Sequence, residues 1–221
     1  MTREQLLKRE IIAAGARCAS MRLVVAKAGN ISCRLDRGPC RPFHSGRAVD
    51  DESILITASG AGLGTLTQAD IVKVPLTGGS TNPRKPSSEF PLHRLIYLNF
   101  PEDRWVVHCH PSLANAYFSV NRKLKNLTFE AKFYLGDVPV VRQKTLTVTE
   151  PGPVIEALKA SGIVVVKNHG VFSRGKDAES ALERVAILEE ACRIHAFACL
   201  FRNSKPGPLD TELKQYLRRR A

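Results

Sequence analysis

The stretch that most constrains this chain is Trp105-Val106-Val107-His108-Cys109-His110-Pro111. A short apolar run entering a His-x-His pair reads as a buried β-strand whose end presents two imidazoles. Side chains alternate faces along a strand, so His108 and His110 share one face and Cys109 takes the other. Two neutral imidazoles on one face, just before a proline, can hold a borderline divalent metal such as zinc. The same pair can also be plain surface or core histidines. A metal reading therefore needs a third ligand, an acid or base, and something for the metal to act on.

The rest of the chain alternates helix and strand signals. An opening helix is predicted with Thr2 as cap, Gln5 at the capping-box position, and Leu6, Leu7, Ile11, Ala14 and Cys18 on its apolar face. Strands follow over 31–35, 54–56 and 71–74. Between them lie the small-residue turns Ala28-Gly29-Asn30 and Thr57-Ala58-Ser59-Gly60-Ala61-Gly62, and a short turn or helix near 67–70. Residues 36–52 are polar and rich in Gly and Pro; they read as a loop excursion, because strand signals resume at Ile54. A loop over 77–85 leads to Pro86-Ser87-Ser88-Glu89, with Ser88 as the N-cap of a helix over 89–100. Leu92, Leu95, Ile96 and Phe100 form its apolar face. Further on come a helix over 112–120, an edge strand over 138–141 and a helix over 153–160. A central buried strand over 163–167 ends in Asn168-His169-Gly170, and a strand over 171–173 follows. A long helix over 177–201 carries Leu182, Val185, Leu188, Ile194 and Ala198 on its face, and a short basic helix starts at Thr211. Such interspersed elements in 221 residues imply one layered α/β domain over 1–221, a length short for two.

The chemistry gathers at three places. His169 ends a buried strand and precedes a glycine, which makes it the natural third ligand for His108 and His110. Three histidines at two strand ends form an open site with positions left for water or substrate. His195 and His93 lie within helices and read as structural or surface residues, while His44 sits in a polar loop. Glu89 opens a helix after two serines, where the positive helix end favours a carboxylate. It reads either as a fourth ligand or base beside the metal, or as an ordinary first-turn acid. Asn30, Ser59-Gly60, Ser87 and Ser88 lie in small-residue turns rich in free N–H groups and short donors, the composition of a phosphate nest.

The formal charge is +12, which suits an anionic partner. The basic residues are scattered, however, with one dense run at Arg218-Arg219-Arg220 and no basic block interleaved with aromatics. Nucleic-acid binding is therefore not expected, and a small phosphorylated substrate is. No signal-like opening and no run of membrane-spanning length are present, so a cytoplasmic chain without membrane association is expected. The six cysteines lack Cys-x-x-Cys spacing; mostly free thiols are the simplest account, though their even number also permits disulfides.

Taken together, Ala28-Gly29-Asn30-Ile31-Ser32, Ile56-Thr57-Ala58-Ser59-Gly60, Pro86-Ser87-Ser88-Glu89, His108-Cys109-His110-Pro111 and Asn168-His169-Gly170 resemble the class II aldolase/epimerase superfamily, typified by L-fuculose-1-phosphate aldolase. The resemblance spans roughly residues 6–200. It implies a three-layer α/β fold, a mainly antiparallel central sheet flanked by helices, in a homotetramer with zinc sites at subunit interfaces. It implies Zn²⁺ held by His108, His110 and His169, with Glu89 as a resting-state fourth ligand that substrate displaces and that then moves protons. Asn30, Ser59, Gly60, Ser87 and Ser88 would hold the phosphate.

The implied reaction is cleavage of a ketose 1-phosphate to dihydroxyacetone phosphate and an aldehyde through an enediolate. Epimerases of the superfamily typically carry aspartate where Glu89 stands and use a further aspartate after the His-x-His helix. Here that region offers Glu130 and then Asp137. The aldolase's tyrosine near Phe129 or Glu130 has no counterpart nearer than Tyr134, and Tyr216 is a loose match for a C-terminal one. Methylthioribulose-1-phosphate dehydratase, sugar-acid phosphate decarboxylase and 4-epimerase stay open as alternatives, as does an adducin-like binding module without turnover. Lys132, Lys144 and Lys167 read as surface or sheet-edge charges, so no Schiff base is expected.

Overall fold

The computed structural model describes residues 1–35, 52–77, 83–125, 127–145 and 147–202. Its frame is one sheet of seven strands: β1 (Asn30–Leu35), β2 (Ser53–Thr57), β3 (Ile71–Pro75), β4 (Trp105–Cys109), β5 (Val140–Val141), β6 (Ile163–Val166) and β7 (Gly170–Gly175). Their order is β3-β2-β1-β4-β7-β6-β5. Every neighbouring pair is antiparallel except β5 and β6. The His-x-His strand β4 takes the centre, and all five of its residues are buried. A strand apolar on both faces requires cover on both. Helices α1 (Arg3–Ser20) and α6 (Ala178–Phe201) supply it on one face, where Cys18 of α1 meets Cys109. Helices α2 (Phe90–Asn99) and α5 (Gly152–Ala160) cover the other, where His93 and Tyr97 bond Ser32 of β1. This is a single α/β domain with a mostly antiparallel sheet between helical layers.

Helix α1 forms as its sequence dictates. Thr2 and Gln5 close a capping box, and Leu7, Ile11, Ala14 and Cys18 recur at helical spacing on the buried side. Helix α2 corrects one expectation. Its N-cap is Glu89 rather than Ser88, and no side chain caps it. Few of its first N–H groups need a side-chain partner. Phe90 N bonds Ser87 O at 3.0 Å, Pro91 has no N–H, and Ser87 Oγ accepts from Glu89 N at 3.2 Å. Ser88 is left exposed.

Strand β6 is fully buried as expected, yet it lies next to the sheet edge rather than at the centre. In α6 the buried face runs through Leu182, Val185, Leu188 and Cys192, whereas Ile194 is half-buried and Ala198 exposed. Its last turns carry Phe197, Leu200 and Phe201 in the open, at 50%, 69% and 66% exposure. Helices α3 (Ser112–Val120) and α4 (Phe129–Leu135) pack on α6. The expected 36–52 excursion (apart from Glu52), the basic helix from Thr211, His44 and Tyr216 lie outside the described residues.

Helix α3 begins at a proline and has no side-chain cap of its own. Glu189, buried on α6, reaches across instead: its carboxylate accepts Leu113 N at 3.0 Å and Ala114 N at 2.8 Å. The charge also sits at the positive end of α3. Glu189→Ala should lower unfolding free energy by about 1–3 kcal/mol, the range for stranding buried donors, read as a lower urea midpoint at unchanged m-value.

Candidate metal centre

Strand β4 ends at Cys109, and His110 follows with its N–H bonded to Leu23 O at 3.0 Å. The expected alternation holds. His108 Nε2 lies 2.9 Å from His110 Nε2, while the Cys109 thiol turns to Cys18, 3.7 Å away on the opposite face. His169 arrives from the tight turn joining β6 to β7. Asn168 takes a left-handed conformation there (φ 60°), and His169 N closes the turn on Val166 O at 3.0 Å. Because β7 pairs β4 with Val171 opposite Cys109, this turn falls beside the end of β4. Two glycines allow the approach. A Cβ on Gly170 would stand 2.4 Å from Cys109 O, and one on Gly29 (φ +84°) 2.7 Å from His108 O.

His169 Nε2 is 3.0 Å from His108 Nε2, so the three ring nitrogens converge on one point. Their tautomers follow from the groups behind them. His108 Nδ1 donates to Val171 O at 3.0 Å, leaving its Nε2 as a bare lone pair. His169 Nδ1 lies 2.7 Å from the Gln143 carboxamide. Amide oxygen and nitrogen are assigned by their partners. With Oε1 toward the ring, Gln143 accepts from Nδ1–H; in the opposite assignment Oε1 is buried without a partner. Asn115 Nδ2 holds the His169 carbonyl at 3.3 Å.

Protonation is not how these rings relieve their crowding. Burial, with the neighbouring imidazoles adding to it, pushes His108 well below the ordinary histidine value and His110 down to about 4. With protonation of His108 and His110 disfavoured, the Nε2 atoms of the three rings are left aimed together at 2.9 and 3.0 Å from His108. A divalent cation satisfies all three at once, so the donor set fits a metal such as Zn²⁺. Glu89 stands alongside, its Oε1 3.7 Å from His169 Nε2 and its side chain 5% exposed. Desolvation raises the Glu89 carboxyl, partly offset by the Val148 N–H, 3.5 Å from Oε2.

Gln143 was not legible as a site residue, since nothing in its neighbourhood of sequence marks it. A partner behind a metal-ligating histidine typically contributes about 10–100-fold to metal affinity. Gln143→Leu should therefore weaken metal binding by about that factor while leaving the fold intact, measured by competition against a chelating dye.

The small-residue turns meet beside this cluster. Ala58 bridges Pro86, Ser59 N bonds Lys85 O at 3.0 Å, and Ser87 N bonds Thr57 O at 3.0 Å. Asn30 lies opposite His108 in the β1–β4 register, and Thr57 Oγ1 accepts from Ile31 N at 3.2 Å. Asn30 Oδ1 is buried without a partner among the described residues. Ser59, Gly60 and Ser88 are exposed, and Gly60 takes φ +75° with open space beside it. Ser87 is buried; its oxygen accepts from Glu89 N, which leaves its proton to donate.

The other histidines in the described residues stay out of the cluster. His195 packs edge-on to Tyr117. His93 is buried in α2, its Nδ1 2.7 Å from Ser32 Oγ. Burial drives its pKa from 6.5 to about 3. The folded state thus refuses a proton that the unfolded chain binds below about 6.5, so stability is full above that pH and is lost as pH falls toward 3. Acid titration of His93→Gln should show a shallower loss across this window than the parent, followed by urea midpoints at each pH.

Five motifs that come together around a three-histidine cluster, beside a buried carboxylate and an unpartnered amide oxygen, define a metal-dependent enzyme on an α/β sheet. The chain belongs to the class II aldolase/epimerase superfamily: the model for the class II aldolase and adducin N-terminal domain matches residues 9–196. It is 31% identical over 175 residues to an L-fuculose phosphate aldolase of Methanococcus maripaludis, covering 78% of this chain and 86% of that protein. It is 30% identical over 193 residues to an L-ribulose-5-phosphate 4-epimerase of Salmonella paratyphi A, covering 78% and 83%. Among solved structures, L-fuculose-1-phosphate aldolase from Thermus thermophilus superposes with a TM-score of 0.75 at 29% identity, over 91% of this chain and 98% of that one. Among the described residues, no helix is long and apolar enough to cross a membrane.

Proposed function

We propose that this chain is a zinc-dependent class II aldolase that cleaves a ketose 1-phosphate, of the L-fuculose 1-phosphate kind, to dihydroxyacetone phosphate and an aldehyde. The observation that carries this reading is the desolvated Glu89 carboxylate poised beside the three imidazoles. His108, His110 and His169 would hold the cation, with Glu89 as a further donor. The bound ion supplies a positive charge against which negative charge developing on substrate oxygens is stabilised. Asn30, Ser59, Gly60, Ser87 and Ser88 fix the phosphate, turning remote binding energy into alignment of the reacting carbons. Glu89 gives or takes the proton at the hydroxyl-bearing, unphosphorylated carbon of the dihydroxyacetone phosphate half, C3 of the ketose and C1 of free dihydroxyacetone phosphate. Its raised pKa suits that exchange, because a proton carrier works best near the operating pH.

Assembly belongs to the same reading. Phe129 and Phe133 of α4 are 91% and 82% exposed, and the end of α6 adds Phe197, Leu200 and Phe201. Apolar side chains this open on adjoining helices are the kind that association buries, which supports a homotetramer with sites at subunit interfaces. Tyr134, also exposed on α4, is then available to a neighbouring subunit's site.

The second reading is a pentulose-phosphate 4-epimerase, favoured by the Salmonella relative's name. Against it stand a glutamate at position 89 and, after the His-x-His helix, Glu130 before any aspartate. Dehydratase and decarboxylase chemistries use similar sites, and an adducin-like module needs no metal triad. A panel of fuculose, rhamnulose, ribulose and methylthioribulose phosphates separates them. Release of dihydroxyacetone phosphate and an aldehyde is the expected result. Loss of water or carbon dioxide, or epimerisation without cleavage, would replace the aldolase assignment by the corresponding one.

A further inference from the structure

A basic cleft is built from residues outside the phosphate turns. It has a volume of about 350 Å³ and is lined by Asn121, Arg122, Val140, Arg142 and Lys167. None of the residues assigned above to metal or phosphate lines it. Its charge arrangement follows from topology: β5 and β6 are the one parallel pair, with Val141 level with Val166 and Lys167 N bonded to Val141 O at 2.8 Å. The chain therefore leaves the two strands at the same level through Arg142 and Lys167, and Arg122 joins them from the end of α3. Like charges set side by side repel, and an arrangement of this kind is stable only if solvated or neutralised.

No protein group among the described residues neutralises these cations. Among the described residues no carboxylate lines this cleft, and no ion pair joins one to Arg122, Arg142 or Lys167. The contrast with another cleft, of about 320 Å³, is informative. There Arg174, Lys176 and Arg184 are matched by Glu102, Asp103 and Asp177, with Arg174 paired to Asp103. One cleft is an internally balanced ion network. The other is three unopposed cations around a concavity whose size suits a small metabolite.

We propose that the cleft of Arg122, Arg142 and Lys167 is a second anion site that takes a small phosphorylated metabolite. Guanidinium groups offer paired N–H donors that match phosphate oxygens, and a lysine adds a point charge. Asn121 Nδ2 donates to Tyr117 O at 2.9 Å, which leaves its amide oxygen as an acceptor for a ligand hydroxyl rather than for the phosphate. The cleft also adjoins the centre in sequence: Arg142 precedes Gln143, and Lys167 lies two residues before His169. An occupant therefore rests against both segments that seat the His169 ring.

The test uses the metal-loaded full chain and inorganic pyrophosphate, titrated by calorimetry at low salt. Wild type should bind two equivalents per chain, and the double variant R122A/R142A should bind one, since lost charged contacts weaken phosphate by about 10–100-fold each. Ser87→Ala should remove the other equivalent and leave the cleft's. The two cleft arginines are exposed, so the variant should keep the parent's urea midpoint, and R142K should restore part of the affinity. A single equivalent in wild type, or two that survive R122A/R142A, would overturn the proposal. Displacement of both equivalents by one dihydroxyacetone phosphate would also overturn it, making the cleft part of the substrate site.

Discussion

Replacing His108 by alanine should leave a folded protein that no longer retains its divalent ion. His108 is the common neighbour of the cluster, with His110 Nε2 at 2.9 Å and His169 Nε2 at 3.0 Å. Its ring is seated from behind by the Val171 carbonyl and stacked on Phe172, with centroids 3.9 Å apart. Removing it takes away one of three imidazole donors, and the remaining two suit a structural or catalytic zinc poorly. Elemental analysis after exhaustive dialysis should give near-stoichiometric zinc for the parent and almost none for His108→Ala. His110→Ala and His169→Ala should behave alike. Cys109→Ser is the matched control, since that thiol faces Cys18 in the core, and it should keep its metal. Undiminished zinc in all three histidine variants would remove the cluster as the metal centre.

The second large effect is on turnover. Glu89→Gln keeps the size of the side chain and one coordinating oxygen but abolishes its useful basicity. In the proposed mechanism the three imidazoles still hold the ion, so zinc content should be unchanged. The rate constant for cleavage should fall by roughly the 10²–10⁴ range of a lost general base. KM should change little, because Asn30, Ser59 and Ser87, the groups proposed to hold the phosphate, are untouched. Loss of metal together with activity would make Glu89 chiefly a ligand. Unchanged turnover with full zinc would exclude it from the chemistry.

The site was legible wherever one residue type and one backbone conformation served it together. His108 and His110 could be placed by strand alternation alone, and His169 by its glycine neighbour. That glycine is needed because a Cβ would collide with Cys109 O. Asn30, Thr57-Ala58-Ser59-Gly60 and Ser87-Ser88-Glu89 were visible as turns. Their meeting depends on the Ala58–Pro86 bridge between segments nearly thirty residues apart, which no local pattern encodes. The supporting residues were hidden for the same reason. Gln143 and Asn115 act through one hydrogen bond each and Glu189 through two, all to groups far off in sequence, and a lone polar residue in a helix or loop has no distinctive period.

The fold showed the same division. Capping chemistry marked α1 because Thr2 and Gln5 are three residues apart, whereas α2 was misread at Ser88 because a serine before a helix has the same composition whether or not it caps. Helix α4 went unseen: Phe129, Phe133 and Tyr134 face outward, so its apolar residues spell no inward stripe. The face of α6 was extended too far, to Ile194 and Ala198, because its outermost apolar turns continue past the sheet that they resemble being packed on. Apolar side chains left in the open look, in sequence, like side chains arranged for the core.

The most direct test of the aldolase reading needs no knowledge of the aldehyde. Dihydroxyacetone phosphate incubated with the zinc-loaded protein in deuterium oxide should take up one deuterium at C1, followed by proton NMR, because carbanion chemistry at that carbon is reversible without the second substrate. The account predicts exchange by the parent, loss of most of it in Glu89→Gln at equal zinc content, and none after chelation. A fully metallated parent that leaves the C1 protons untouched would contradict it.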